Sequence, residues 1–406
     1  MKLWPLWIIL GVLVLLPVGR ASELPLVTGA LAGLALAWRE RAHWREWRGA
    51  GLALTLFACY WLAAMLSAPD AVAPEKSWRT VGALLRFLPF AVFAAIALHR
   101  TRVWPRLAAA CAAIILLWLL DAWVQILTGW SLGGAAATDR LTGIFGAGNQ
   151  KLGPVLAVLS PFVFAVARAR WGWRGLAFAF VLQLMPILLA GSRASWVMYA
   201  LVASAFAWMH ARAPLRFATW MLAAVGAAVL GIAVAWQHSD RFDMRVDRTL
   251  LVLQGSAPAL DTALAGRVRI WRDALAMSEA HPVNGVGVRG FRYAYPLYAQ
   301  PGDDFVDART DEGAFHAHQI VLEVLSETGT IGLLLWIVGA FCAIRAWRRA
   351  GASARERALA PALALAAMTF PLNTHLAFYS AWWGMLFWWL LALYCAALAS
   401  DDAPAP

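Results

Sequence analysis

The residues in this chain best suited to chemistry are arginines and histidines that fall outside its apolar blocks. Arg193 sits in Gly191-Ser192-Arg193-Ala194-Ser195, a tight turn between two apolar segments. A guanidinium matches phosphate geometry with two parallel hydrogen bonds, so Arg193 reads as an anion ligand. The plainer alternative is a side chain snorkelling at a membrane interface. Arg267 lies within one helical turn of Leu264 and Trp271 and borders the apolar stripe those residues form. Arg269 and Arg272 point elsewhere and are expected in solvent. Arg289 stands among Gly285, Gly287 and Gly290, where backbone can approach a ligand closely. Asn149 and Lys151 mark the entrance to another apolar segment, and His316 accompanies His318. A histidine near neutral pH can take a proton from a hydroxyl, and His318 is the candidate general base. Alone it would be an ordinary surface histidine; the surrounding arginines favour a function.

Other chemistries find less support. His316 and His318 are two residues apart, would point in different directions on a helix, and lack a third ligand at metal spacing. The paired carboxylate Asp303-Asp304 lies in an acidic stretch with Asp307, Asp311 and Glu312 and reads as solvated surface. The glycine turn at Gly285, Gly287 and Gly290 follows no strand, which makes it a weak nucleotide site. Cys59, Cys111, Cys342 and Cys395 all lie inside apolar blocks, with no disulfide or metal spacing. Neither a cofactor nor a metal is expected.

These residues must be held by helices in a membrane. Of 406 residues 62% are apolar and 14% charged, where a soluble domain would carry nearly twice that charge. The apolar blocks are long enough to cross a hydrocarbon core and do not alternate, so helices and not barrel strands are expected. The expected fold is an all-α polytopic membrane protein with about twelve transmembrane helices. They cover roughly residues 3–19, 22–38, 49–67, 79–98, 107–128, 152–168, 175–191, 195–210, 217–236, 330–347, 359–376 and 380–398. The first block follows Lys2, lacks a small-residue cleavage site and reads as a retained span. The net charge of +11 would suggest nucleic acid in a soluble protein. Here the arginines cluster in alternate short connections: Arg39 to Arg48, Arg100 to Arg106, Arg168 to Arg174, Arg212 with Arg216, and Arg345 to Arg357. By the positive-inside rule these connections and both termini are cytoplasmic, and no nucleic-acid partner is expected. The 24 tryptophans fit membrane interfaces.

Three regions follow: 1–236 with nine helices, 237–329 as one long non-cytoplasmic loop, and 330–406 with three helices and a short cytoplasmic tail. The loop is expected to be partly helical. Asp261 can cap a helix running to about Glu279, with Leu264, Val268, Trp271 and Leu275 on one stripe. His281-Pro282 ends it. A second amphipathic helix is expected from His316 to Glu327, with Gly329 and Gly332 turning the chain into the tenth span. Two charges fall inside spans, Arg86 and Asp121, roughly 10 Å below the outer surface. A buried Arg86–Asp121 ion pair is the favoured reading and an ion path the sharper one.

Several segments together resemble the O-antigen ligase and polymerase superfamily. They are Gly191-Ser192-Arg193-Ala194-Ser195, Gly266-Arg267-Val268-Arg269-Ile270-Trp271, His281-Pro282-Val283-Asn284-Gly285-Val286-Gly287, His316-Ala317-His318-Gln319, and Glu327-Thr328-Gly329-Thr330-Ile331-Gly332. Thr142-Gly143-Ile144-Phe145, with Asn149 and Gly153 after it, is similar to a further segment. Gln319 stands where many members have asparagine, and Gly146-Ala147-Gly148 departs from an Asn-Pro pattern. The resemblance implies metal-independent, inverting glycosyl transfer at the periplasmic face of the bacterial inner membrane. The implied donor is an O-antigen glycan on undecaprenyl diphosphate, and in ligases the acceptor is a sugar hydroxyl of the lipid A-core oligosaccharide. In polymerases the acceptor is another lipid-linked repeat unit. In protein O-oligosaccharyltransferases it is a serine or threonine, but those enzymes carry a longer carboxy-terminal region. The ligase is favoured because the long loop falls late and carries the arginine–histidine set. The implied roles are His318 as base, Arg193 and Arg267 stabilising the diphosphate, and Arg289, Lys151, Asn149 and His316 binding substrate. A lipid-linked glycan transporter is the rival class. It would show polar residues through the bilayer centre and an inverted repeat, neither of which is evident.

Overall fold

The computed structural model describes residues 3–39, 41, 48–99, 103–135, 140–211, 213–238, 247, 250–371 and 377–400. The described chain is a bundle of helices: α1 (Trp4–Val14), α2 (Glu23–Arg39), α3 (Arg48–Ser67), α4 (Pro74–Leu84), α5 (Phe87–Ala97), α6 (Trp104–Thr128), α7 (Leu152–Leu189), α8 (Arg193–His210) and α9 (Pro214–His238). The long loop contributes α10 (Ala257–Ala263), α11 (Arg267–Ala280) and α12 (Phe291–Ala294), and the bundle closes with α13 (Ile320–Arg349), α14 (Ala352–Thr369) and α15 (Ala381–Ala399). The described strands are a two-stranded antiparallel hairpin, β1 (Trp130–Ser131) and β2 (Gly134–Ala135).

α15 is the central post. Its apolar window is 83% buried, with Trp388 and Trp389 enclosed, whereas that of α9 is 6% buried and faces outward. α15 packs on α3, α5 and α14, and α3 runs along α13. Apolar residues on the outward faces, such as Leu222, Leu230, Leu334 and Phe341, suit a hydrocarbon solvent. This is a multi-pass helical membrane protein.

Seven described helical segments are long and apolar enough to cross a membrane: α3, α4 with α5, α6, α7, α9, α13 and α15. α7 covers two of the expected segments because the chain folds back at Gly172, whose φ of 63° and ψ of −146° are not helical. Gly175 allows that fold, since a Cβ there would stand 2.3 Å from the Ala167 carbonyl oxygen. α1, α2, α8 and α14 lie over four further segments and fall short in length or hydropathy. The expected span at 79–98 is interrupted between α4 and α5, where Pro89 has no N–H to offer the Leu85 carbonyl.

Contacts divide the bundle into two ends. Arginine-rich connections share one end, where Arg357 bonds the Ser400 carbonyl and Arg106 lines a cleft with Trp4 and His99. Every candidate site residue belongs to the other end. There Trp382 donates to the Leu16 carbonyl, Leu141 to that of Leu189, and Val72 to that of Val286.

The two charged residues expected to pair do not. Arg86 pairs with Glu23 at 3.0 Å, because the break before α5 aims it at the start of α2. Asp121 instead accepts the Leu132 amide at 2.7 Å and pins the hairpin. One turn away Gln125 accepts the amides of Thr142 and Gly143. Polar groups inside α6 therefore satisfy backbone of the 129–151 connection that would otherwise be orphaned near lipid.

The loop also departs from expectation. Ser256, not Asp261, caps a short helix, and the chain then breaks at Ala265 and Gly266, both left-handed (φ 56° and 76°). Arg269 and Arg272 are paired and not simply solvated: Arg269 with Asp261 at 3.2 Å, and Arg272 with Asp273 at 2.8 Å. Asp303 is buried, accepting from the Tyr295 hydroxyl and the Phe305 amide. The buried stripe of α11 is Ile270, Asp273, Ala274, Met277 and Ser278, while Leu275 is exposed. With Val286, Phe291, Ala294, Tyr295, Ala314 and Ala317, its apolar members form a second small core. α11 ends at Ala280, with the non-helical His281 as its cap, as Pro282 requires.

Candidate functional site

The loop is held on the bundle by glycines that permit close backbone approach. At Gly329 (φ 65°) α13 breaks, which frees the first amides of its membrane half. The Pro282 carbonyl takes the Thr330 amide at 2.9 Å and the Val283 carbonyl that of Ile331 at 3.2 Å. The Val286 amide returns a bond to the Ser326 carbonyl at 2.8 Å. A Cβ on Gly329 would meet the Val283 oxygen at 2.2 Å, and one on Gly287 (φ 95°) would meet the Ala71 Cβ at 2.2 Å. The turn 281–288 is therefore a rivet. Asn284 bonds Asp70, the Ser77 hydroxyl bonds the Val288 carbonyl, and the Ser67 hydroxyl accepts the Val288 amide.

Arg193 and Arg267 occupy the same place in their helices. Each is the first residue, Arg193 after Ser192 and Arg267 after the left-handed Gly266. Unpaired amides and the helix dipole make such a position favourable for an anion. Arg267 continues the inward stripe of α11, three residues before Ile270 and seven before Ala274, which explains its partial burial. Burial first, then the charges of Arg193 and Arg140, pull its pKa down to about 10. Arg140 is brought to this group by the bond between Leu141 and Leu189. It was missed in the sequence although, like Arg193, it is an arginine in an outer connection.

His316 and His318 form a second group. They precede helix α13 and do not lie on it, so their rings meet at 4.0 Å instead of diverging. The His318 backbone is left-handed (φ 52°), a strained state for a non-glycine residue that the surroundings must enforce. Its amide donates to His316 Nδ1 at 3.2 Å. The buried His316 also stands 3.6 Å from Glu323 of α13. The expected helix thus begins four residues late, at Ile320, with the Gln319 side chain accepting the Leu322 amide as its cap. Glu323 and Glu327 are both buried, one turn apart; Glu323 accepts the Phe378 amide and Glu327 that of Arg289, each at 2.8 Å. Sequence reasoning passed over this pair, whose signal was two carboxylates at one helical turn in an apolar run.

The remaining candidates group around Trp382. The Lys151 ammonium lies 4.3 Å above the Trp382 ring, and burial lowers its pKa. Asn149 accepts the Lys151 amide at 3.2 Å and shapes that turn. Gly153 lets the turn pack on the Arg193 loop, since a Cβ there would lie 2.9 Å from Ala190 and 3.0 Å from Ser195. Arg289, also left-handed (φ 61°), lines a cavity with Trp382. Of the seven candidates, Arg193 and Arg267 come together with Arg140, His316 with His318, and Lys151 and Arg289 border Trp382, with Asn149 shaping the Lys151 turn. Among the described residues no group of three His, Cys, Asp or Glu side chains is placed to hold a metal ion.

Chemically, this end offers a cationic seat at two helix starts and a histidine backed by a buried carboxylate. Residues 178–337, which include five of the seven candidates, match the family described as O-Antigen ligase. The chain is also 30% identical over 299 residues to the exopolysaccharide production protein ExoQ of Rhizobium meliloti (strain 1021). That match covers 70% of this chain and 61% of the relative's length. Both likenesses support the O-antigen ligase/polymerase superfamily, carried by the 178–337 region and by the part of the relative that the chain spans.

Proposed function

We propose that the protein transfers an O-antigen glycan from undecaprenyl diphosphate to a sugar hydroxyl of lipid A-core, as an O-antigen ligase. The observation that carries this reading is the Arg140, Arg193 and Arg267 group, with two members on helix starts and Arg267 held against its own charge. A diphosphate leaving group carries the charge and the oxygen acceptors that guanidinium groups bind in pairs. In the reaction the acceptor oxygen bonds the anomeric carbon as its bond to the phosphate oxygen breaks. The hydroxyl proton passes to the His318 imidazole, and the electron pair leaves on undecaprenyl diphosphate. Displacement from the opposite face inverts the anomeric centre. Fixed cations aimed at such developing charge contribute about 3–4 kcal/mol per donor in known cases. Lys151, Asn149 and Arg289 hold the substrates' polar groups from the Trp382 side. His316, placed between His318 and Glu323, orients the base.

In this reading the site end faces the periplasm, both termini are cytoplasmic, and the chain crosses the inner membrane about twelve times. The regions 1–236, 237–329 and 330–406 then alternate membrane, periplasmic loop and membrane. A second reading is polymerisation, in which the acceptor is another lipid-linked repeat unit. The description of the relative as an exopolysaccharide production protein favours it.

One experiment separates them. Purified protein is mixed with undecaprenyl diphosphate-linked glycan and core-only lipopolysaccharide, with EDTA present. Transfer to lipopolysaccharide is expected, and its loss in His318→Ala with expression and folding intact. Longer lipid-linked chains alone would assign the polymerase. Normal transfer by His318→Ala would overturn the assignment of the base.

A further inference from the structure

A second cationic site lies at the same end. Arg20 from the α1–α2 connection, Lys76, Arg79 and Arg86 around α4, and Arg289 from the loop line one cavity of about 370 Å³. Its one acidic lining residue, Glu23, is paired with Arg86. Arg79 pairs with Glu75 on the exposed rim. Arg20, Lys76 and Arg289 form no ion pair among the described residues. Lys76 lies in the field of Arg289, Arg20 and Arg79. Nη1 of Arg289 and Nε of Arg86 are buried without a hydrogen-bond partner, a costly arrangement unless an anion completes it. Arg289 also lies in the field of the buried Glu327 and Glu323, which accept the Arg289 and Phe378 amides, so the excess charge of the cavity rests on Arg20 and Lys76.

This cavity is distinct from the Arg193–Arg267 group. None of its five cations figures among the charges acting on Arg267, and none of Arg140, Arg193 and Arg267 lines it. Trp382 joins the two regions: it forms one cavity wall and carries Lys151 over its ring. Flat rings such as Trp382 and Tyr379, both in the wall, suit the apolar face of a sugar. A transfer between two substrates needs a second binding place, and a donor seat with one anion site leaves this one for the partner. Resting on the transfer reading above, we propose that the cavity binds a phosphate-type group carried by the acceptor glycolipid and sets its sugar beside Trp382.

The test uses Arg20→Ala/Lys76→Ala, two exposed rim residues away from the Glu23–Arg86 pair. With phosphorylated acceptor, KM for acceptor should rise about tenfold or more, as expected on losing charge-assisted contacts, while the donor KM holds. With enzymatically dephosphorylated acceptor, the variant and the unaltered protein should behave alike. A shift in donor KM, or an equal loss with both acceptors, overturns the proposal. A binding measurement separates this claim from the transfer reading. Inorganic pyrophosphate is titrated calorimetrically into Arg193→Ala/Arg267→Ala protein in phosphatidylcholine nanodiscs. Binding should persist there and vanish when Arg20→Ala/Lys76→Ala is added, whether or not the protein transfers glycan. Failure to bind overturns the cavity's role. If phosphatidylglycerol nanodiscs abolish binding, a bilayer headgroup occupies the cavity and the acceptor assignment falls.

Discussion

Arg267 and Arg269 lie two residues apart at the start of one helix and sit in opposite fields. Arg269 is held by Asp261 at 3.2 Å and Asp304 at 3.5 Å, and its guanidinium covers Phe305. Arg267 faces Arg193 and Arg140 and is partly buried beside them. Arg272 with Asp273 and Arg292 with Glu312 repeat the first pattern. Loop carboxylates thus pair with Arg269, Arg272 and Arg292, while the charges that lower the Arg267 pKa are those of other arginines; under the proposed function that contrast suits Arg267 to an anion. Charge alone does not separate these two arginines; the sign of the neighbouring charges does.

The largest expected effect on this contrast is in rate. Arg267→Ala should slow transfer about 100- to 1000-fold, the loss typical of one oriented donor, and Arg267→Lys should not restore it fully. Arg269→Ala should leave transfer within a few fold, and equal losses in steady-state assays would erase the contrast. Stability should invert the order. Arg269→Ala removes partly exposed pairs and should cost up to about 1 kcal/mol in chemical denaturation. Arg267→Ala removes a strained cation and should cost less.

Ligand and pH responses are smaller. Inorganic pyrophosphate in excess should raise the melting temperature by a few degrees in the unaltered protein and Arg269→Ala, and less in Arg267→Ala. The Arg267 pKa of about 10 lies below the ordinary arginine value, so the unfolded chain binds more protons between the two. Stability contributed by this group therefore rises with pH across that window, while anion binding weakens because the charge is being lost. Pyrophosphate binding that stayed constant past pH 10 would detach Arg267 from the site.

The sequence disclosed the membrane character and the candidates that the fold then sorted into groups. Apolar blocks and alternating arginines located helices and ends, because hydrocarbon constrains composition over whole segments. It disclosed less where a single backbone angle decides. The breaks at Ala265 and Gly266 moved the inward stripe of α11, so Arg267 proved to lie on it and not beside it. The late start of α13 turned His316 and His318 from divergent neighbours into a pair of rings in contact. Arg86 and Asp121 found partners in Glu23 and the Leu132 amide, contacts set by helix packing and hairpin geometry that spacing does not encode. The Arg20–Arg289 cavity draws on residues far apart in sequence, so only the fold assembles it.

The central claim is that the group around Arg193 and Arg267 seats the diphosphate of the donor. Cryo-electron microscopy of the protein with undecaprenyl diphosphate tests it most directly. Diphosphate density between the first turns of α8 and α11, within hydrogen-bond reach of both guanidinium groups, is the predicted result. Density in the Arg20–Lys76–Arg289 cavity, with the space between Arg193 and Arg267 vacant, would contradict it.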